Sequence, residues 1–310
     1  MKPLFSVIIP TYNRGDLIEK AITGMITQSF EAWELIIVDD GSTDDTSKRV
    51  SRFTDSRIKY VYQENAERSA ARNNGIDKAQ GDYICFLDSD DHFASNHLQA
   101  FHDFIESVKP TPGLMMGVIE NVNDRGESMG EFGPYPDRND LLEYLIAHRL
   151  TFPLNACCIH RDVLQETRFD PRFNIWEDSH LAFRILTRWP YYGVKDACVH
   201  VVAHEGSGVV QIRRQVQLEK VLRYETAVRD LFTQCGPIRP EVFSLKNRTD
   251  YIFTKLSGFF YSARISGQYQ IAFRLMTLLW KKYFRLSDTG FYIKGGIKLL
   301  LNRTLGIKTR

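Results

Sequence analysis

Over residues 1–90, short apolar β-rich runs alternate with amphipathic stretches. The runs fall at 4–9, 34–39, 58–62 and 83–87. Between the first two, Ile18, Ala21, Ile22, Met25 and Ile26 recur at helical spacing and predict one buried helix face. Strand–helix alternation of this kind implies a parallel sheet covered by helices on both sides. Residues 120–137 hold three Gly and two Pro among polar residues, which predicts a long surface loop. Sheet-like runs resume around 155–160 and 192–203. Beyond about Ser207 the pattern is helical and rich in aromatics.

At 310 residues the chain can bury one large core or two modest ones. Its 43% apolar and 25% charged content is ordinary for a soluble globular protein. The first ten residues hold too short an apolar run for a signal peptide, and no stretch approaches a membrane span. The five cysteines (85, 157, 158, 198, 235) are odd in number and lack CxxC spacing. A disulfide framework or structural zinc is therefore not expected, and a reducing cytoplasm fits. Cys157 and Cys158 sit in a β-like run and read as core. Of 40 basic and 38 acidic residues, eight basic and one acidic fall within 281–310. A basic tail on a mildly acidic body suits an anionic partner, such as a membrane surface.

The densest chemistry is Asp88-Ser89-Asp90-Asp91, directly after the apolar run Tyr83–Leu87. A buried strand here would deliver carboxylates to the carboxyl edge of the sheet, where open α/β sheets bind ligands. Crowded carboxylates repel unless a cation joins them, and hard oxygen donors suit Mg²⁺ or Mn²⁺. The same residues could instead cap a helix starting near Ser95. Two earlier strand exits are polar as well: Pro10-Thr11-Tyr12-Asn13, and Asp39-Asp40-Gly41-Ser42-Thr43-Asp44. Arg72 lies on an alanine-rich helical stretch just ahead of the Asp88 strand, able to pair with carboxylate or phosphate.

These segments, with Gln28-Ser29-Phe30 and Ala71-Arg72-Asn73, occur in the order and spacing of a known family. The chain resembles a family 2 glycosyltransferase, strongly over residues 4–92 and more weakly to about 208. The resemblance implies a GT-A fold, a nucleotide-sugar-binding, Rossmann-like mixed sheet flanked by helices, with a helical C-terminal extension. It implies a catalytic domain at 1–208, with a nucleotide-binding half (1–92) and an acceptor-binding half (93–208). Residues 209–310 would form a helical region ending in a basic amphipathic tail. Pro10, Thr11, Tyr12, Asn13, Asp40, Arg72, Asp88 and Ser89 would bind the nucleotide. Asp90, Asp88 and His204 would hold the divalent cation, Mn²⁺ or Mg²⁺. In Trp176-Glu177-Asp178, Asp178 would be the base that accepts the acceptor's proton in an inverting transfer. Glu177 would orient its neighbours, and Trp176 would offer a sugar platform or pack in the core. Both acids could equally serve the helix dipole. One departure stands out: many relatives have glycine before Ala-Arg-Asn, whereas this chain reads Asn65-Ala66-Glu67-Arg68-Ser69.

The expected function is metal-dependent, inverting transfer of a sugar from a nucleoside diphosphate donor, UDP-linked, to a glycan or lipid-linked glycan. Such a protein would be cytoplasmic, with peripheral membrane contact through 281–310. There, Ile293, Ile297, Leu300, Leu301 and Leu305 recur beside Lys294, Lys298 and Arg303, and Trp280 and Tyr292 lie near. The alternative for this tail is a helix packed on the protein with its basic face in water. Two other readings compete. A nucleotidyltransferase would need a glycine-rich phosphate loop, and residues 10–16 contain only Gly15. A non-catalytic glycan- or partner-binding module would not need Asp40, Asp88, Asp90 and Asp178 together. Nucleic acid is not expected, because no aromatic β-platform accompanies the positive charge.

Overall fold

The computed structural model describes residues 2–123, 125–202, 215–283 and 290–296. They fall into two units, residues 2–142 with 151–202 and residues 143–150 with the described part of 204–310.

The first unit is built on β1 (Phe5–Thr11), β2 (Trp33–Asp39), β3 (Ile58–Tyr62) and β4 (Tyr83–Phe86). These four are mutually parallel in the order β3-β2-β1-β4. β1, β2 and β4 are near-continuous apolar runs because helices cover both faces of the sheet. The connecting helices are α1 (Gly15–Ile26), α2 (Thr46–Val50) and α3 (Glu67–Lys78). Ile18, Ala21, Ile22 and Met25 are fully buried, as the spacing predicts, whereas Ile26, the last residue of α1, is exposed. Gly75 lets α3 lie against β1, since a Cβ there would sit 2.4 Å from Ile8 Cγ2. An interior helix glycine costs about 1 kcal/mol; here it brings the preceding turn, with Arg72, over the sheet.

Beyond β4 the sheet becomes mixed. It continues through β5 (His92–Phe93), α4 (His97–Val108), β6 (Leu114–Val122), β7 (Ser128–Phe132), β8 (Cys157–His160), α6 (Arg161–Glu166), α7 (Glu177–Leu186) and β9 (Tyr191–Val202). β8 runs antiparallel to β4 and β6, β9 is parallel to β6, and β5 closes the edge antiparallel to β9. The expected 120–137 loop is corrected here: β6 runs into it and turns back as β7. Every residue of β7 is exposed, so it lacks the apolar alternation by which a strand is read. The capping reading of Asp88–Asp90 also fails. β5 intervenes, and α4 starts from Asn96. Cys157 and Cys158 are fully buried.

In sequence, α5 (Leu141–Ala147) crosses the boundary between the units. The second unit carries α8 (Leu218–Cys235), α9 (Leu245–Ile265) and α10 (Tyr269–Tyr283). Glu225 of α8 is buried and accepts from Tyr283 Oη (2.5 Å), Arg229 Nε (3.0 Å) and Lys282 Nζ (3.2 Å). Phe291 packs edge-on against Phe253 and Phe260, and Tyr292 against Trp280. No helix among the described residues is long and apolar enough to cross a membrane. Ile297, Leu300, Leu301, Lys298, Arg303 and Leu305 of the expected tail lie outside the described residues.

Candidate active site

The carboxyl ends of β1, β2 and β4 carry the polar exits to one edge, because parallel register pairs Thr11 with Asp39 and Ile8 with Phe86. The first two exits are tied to each other. Asn13 adopts a left-handed φ of 51°, and its Oδ1 accepts from Thr43 N at 2.8 Å. Its own N–H donates to Ser42 Oγ at 2.9 Å. Asp39 is buried and accepts from Ser42 N (2.7 Å) and Tyr60 Oη (2.6 Å). Burial, with that bond, pushes the Tyr60 phenol up to about 12. Asp40 is also buried, and accepts from Gln63 Nε2 (2.7 Å) and Ala66 N (2.9 Å). Its carboxylate therefore pins the entry to α3. Thr11 and Ser89 are buried, Pro10 is half-buried, and Tyr12 is 49% exposed.

That pinned entry also answers the missing glycine. Glu67, the first residue of α3, takes φ of 71°, the left-handed conformation glycine adopts freely. A non-glycine residue with a Cβ is strained there.

The centre of the site is Arg72, 2% exposed. One terminal nitrogen donates to Asp178 Oδ1 (2.8 Å) and Glu177 Oε1 (3.0 Å), the other to Asp88 Oδ1 (2.9 Å). Its guanidinium also lies over the Phe169 ring at 5.2 Å. Arg68 adds a longer contact to Glu177, at 3.4 Å. Residues 72, 88, 177 and 178 thus form one ion-pair system spanning α3, the β4 exit and the head of α7. The two α7 acids face a buried cation, so the helix dipole alone does not account for them. Burial raises the Asp178 carboxyl to about 7, Glu177 and Asp88 add to this, and Arg72 and Arg68 oppose it. Its side chain keeps 30% exposure, leaving it open to a ligand. Trp176, also left-handed (φ 62°), is 8% exposed and packs edge-on against Phe183 at 5.7 Å.

Asp88, Asp90 and Asp91 each bring a carboxylate oxygen within 4.8 Å of the others. Asp91 is buried and accepts from Asn155 Nδ2 (3.1 Å) and Val202 N (3.1 Å). Even so, burial and the charges of Asp88 and Asp90 hold its carboxyl well above the usual range. Concentrated negative charge on hard oxygen donors fits a divalent cation. His204 lies outside the described residues.

Reasoning from sequence gave Asp91 no role of its own and missed Asn155 and Phe169 entirely. Asp91 carried a signal, as the last acid of the tetrapeptide. Asn155 and Phe169 carried none, since only the tertiary fold brings them near Asp91 and Arg72.

A mixed sheet whose parallel half gathers strand exits around a carboxylate cluster is a GT-A fold. Solved structures agree: Staphylococcus aureus TarS in complex with UDP-GlcNAc matches 99% of this chain and 93% of its own, with TM-score 0.60 and 18% identity. A Pyrobaculum calidifontis mannosyltransferase in complex with GDP-Man and Mn²⁺ matches 97% of this chain and 81% of its own, with TM-score 0.55 and 16% identity. The family profile described as Glycosyl transferase family 2 matches residues 6–168, and the chain belongs to that family. Among curated relatives, the Bacillus subtilis putative teichuronic acid biosynthesis glycosyltransferase TuaG is 44% identical over 107 residues, which is 34% of this chain and 42% of TuaG. The Escherichia coli UDP-Glc:alpha-D-GlcNAc-diphosphoundecaprenol beta-1,3-glucosyltransferase WfgD is 42% identical over 122 residues, 39% of this chain and 47% of WfgD. The chain thus spans less than half the length of these two relatives.

Proposed function

We propose that this chain is an inverting glycosyltransferase of envelope glycan synthesis, moving a sugar from a UDP-linked donor to a lipid-linked glycan. The observation that carries this reading is the Arg72 system, which joins Asp178 to the Asp88 cluster through one buried guanidinium. Relatives named for teichuronic acid biosynthesis and for a diphosphoundecaprenol acceptor support the substrate class, and the UDP-GlcNAc complex of a similar fold supports the donor.

In this reading Pro10, Thr11, Tyr12, Asn13, Asp40 and Ser89 surround the nucleoside, while Arg72 and Asp88 meet its ribose and phosphate side. Asp88 and Asp90, with His204, would hold a Mn²⁺ or Mg²⁺ ion, whose chemistry is to offset negative charge on the diphosphate. The acceptor hydroxyl gives its proton to the Asp178 carboxylate as its oxygen bonds to the anomeric carbon. The bond from that carbon to the diphosphate breaks on the opposite face, so configuration inverts and the nucleoside diphosphate leaves. A carboxyl raised to about 7 suits this work, since about half of it is ionised at neutral pH and that half is basic enough to take a proton. Glu177 holds Arg72 in place for both neighbours. The basic segment 281–310 would rest on an anionic membrane surface, where a lipid-linked acceptor resides.

A thermal-shift panel of UDP, GDP, dTDP and CMP, and their sugars, with and without Mn²⁺, tests the donor. At 100 times its dissociation constant the right nucleotide stabilises the native state by about 2.7 kcal/mol. A Mn²⁺-dependent shift with UDP alone is expected; a shift with GDP, dTDP or CMP instead overturns the UDP assignment.

A further inference from the structure

A second group of metal-ligating side chains lies away from the Asp88 cluster, on three adjacent strands. Glu120 of β6 stands opposite His200 of β9, and His200 stands opposite His92 of β5. Paired residues on neighbouring strands point to the same face, and Cys198, two residues before His200, shares it. Glu120, Cys198 and His200 each bring a donor atom within 4.8 Å of the others. His200 Nε2 lies 3.1 Å from Glu120 Oε2, while its Nδ1 lies 3.1 Å from His92 Nε2. All three donors are partly exposed, so an ion can reach them.

We propose that Glu120, Cys198 and His200 form a binding site for a borderline divalent transition metal of the Zn²⁺ class, oriented by His92. One nitrogen, one sulfur and one carboxylate oxygen are the donor set Zn²⁺ takes, and three protein ligands leave a fourth position for water. A thiol and a carboxylate form no ion pair with each other, whereas a shared cation binds the carboxylate and, as the thiol loses its proton, the thiolate. The His92 contact supplies what a ligating histidine needs: a partner for its second nitrogen, which fixes the ring and the tautomer. This donor set differs from the all-oxygen Asp88 cluster, so the two sites sort ions by softness. Such an ion would clamp β6 to β9 just before Val202, whose N–H holds Asp91. The inference does not depend on which sugar or nucleotide the protein uses. Cysteine spacing along the sequence did not reveal the site, because strand register, not a CxxC segment, assembles it.

The test uses the full chain, stripped with EDTA and titrated with Co²⁺ as a spectroscopic probe, then with Zn²⁺. A thiolate-to-cobalt charge-transfer band is expected that saturates at one equivalent and is bleached by Zn²⁺ but not by excess Mg²⁺. Cys198→Ser abolishes the band. Glu120→Gln and His200→Gln weaken binding at least tenfold, and His92→Asn weakens it about tenfold. Asp90→Asn leaves the band unchanged. No band in the unaltered protein overturns the proposal, as does a band that survives Cys198→Ser in a natively folded variant. Should Cys198→Ser fail to fold, Glu120→Gln decides, and unchanged affinity there is equally fatal.

Discussion

Glu34 and Asp178 are both carboxylates drawn out of water within the same α/β unit, and they end in opposite states. Glu34 lies at the amino end of β2 and is 3% exposed. It accepts from Ser6 Oγ (2.6 Å), Gln80 N (2.5 Å) and Lys59 Nζ (2.6 Å). Burial alone would raise its pKa, but those three donors together outweigh it and hold the carboxyl below its usual value. Asp178 serves the carboxyl edge of the sheet and shares one guanidinium with two other acids. Burial, with the charges of Glu177 and Asp88, outweighs Arg72 and Arg68 there, and its carboxyl rises to about 7. At the amino end, Glu34 is satisfied and ties β1, β2, β3 and the residues ahead of β4 together. Around Arg72, carboxylates outnumber the cations that pair with them, and the excess negative charge can be relieved by a cation, a proton or a substrate. The difference teaches where to look for chemistry: at the buried acid whose partners fall short of its charge.

Exchanging the frustrated acid should show the largest effect. Asp178→Asn is expected to lower the rate of transfer by about 10²–10⁴-fold, with nucleotide binding retained in the thermal-shift assay. Its stability should move the other way. A carboxyl raised in the folded state weakens the fold as pH rises from its ordinary 3.8 to about 7. Unfolding of Asp178→Asn measured from pH 4 to 8 should therefore show a gain over the parent that grows with pH. Full transfer activity in this variant would remove Asp178 as the base.

Removing the shared cation comes next. Arg72→Ala leaves Glu177, Asp178 and Asp88 facing one another, and should cost about 3–5 kcal/mol in urea unfolding. Lys at the same position should rescue little, since one ammonium cannot present the guanidinium fork. On the satisfied side, Glu34→Gln is expected to cost about 1–3 kcal/mol, because the donors that meet a carboxylate now meet an amide. The sign with pH reverses here. A lowered pKa gives stability that is present above the ordinary 4.5 and lost as pH falls through the folded value. The penalty should therefore shrink in acid, and a penalty that grows there would break the comparison. The smallest effect is backbone strain beside the site. Glu67→Gly should raise stability by about 0.5–1 kcal/mol, since the left-handed φ there penalises a side chain.

Three of the parallel strands, β1, β2 and β4, were legible in the sequence because they are short apolar runs buried on both faces, whereas the edge strand β3 is only partly covered. The strand exits at Pro10, Asp39 and Asp88 followed from them, since parallel strands bring their carboxyl ends to one edge. The antiparallel half was harder to read. β7 has no buried face to mark it, and β5 is only two residues long. Within the site, the acids and Arg72 could be named, but how they pair could not. That pairing rests on contacts between residues 105 and 106 positions apart, fixed by how α3 and α7 pack. Asn13 and Asp40 stood out as polar loop residues, and the structure shows both holding the loops together.

The two donors to Asp91 bear on how this protein is made. Asn155 comes 64 residues after it and Val202 comes 111 residues after it. Ribosomes add about 5–20 residues per second, and a domain generally folds as a unit. Once made, Asp91 therefore waits, on the order of ten seconds, for its last partner to emerge. Synthesis of β9 thus sets the earliest moment at which this acidic edge of the sheet can close.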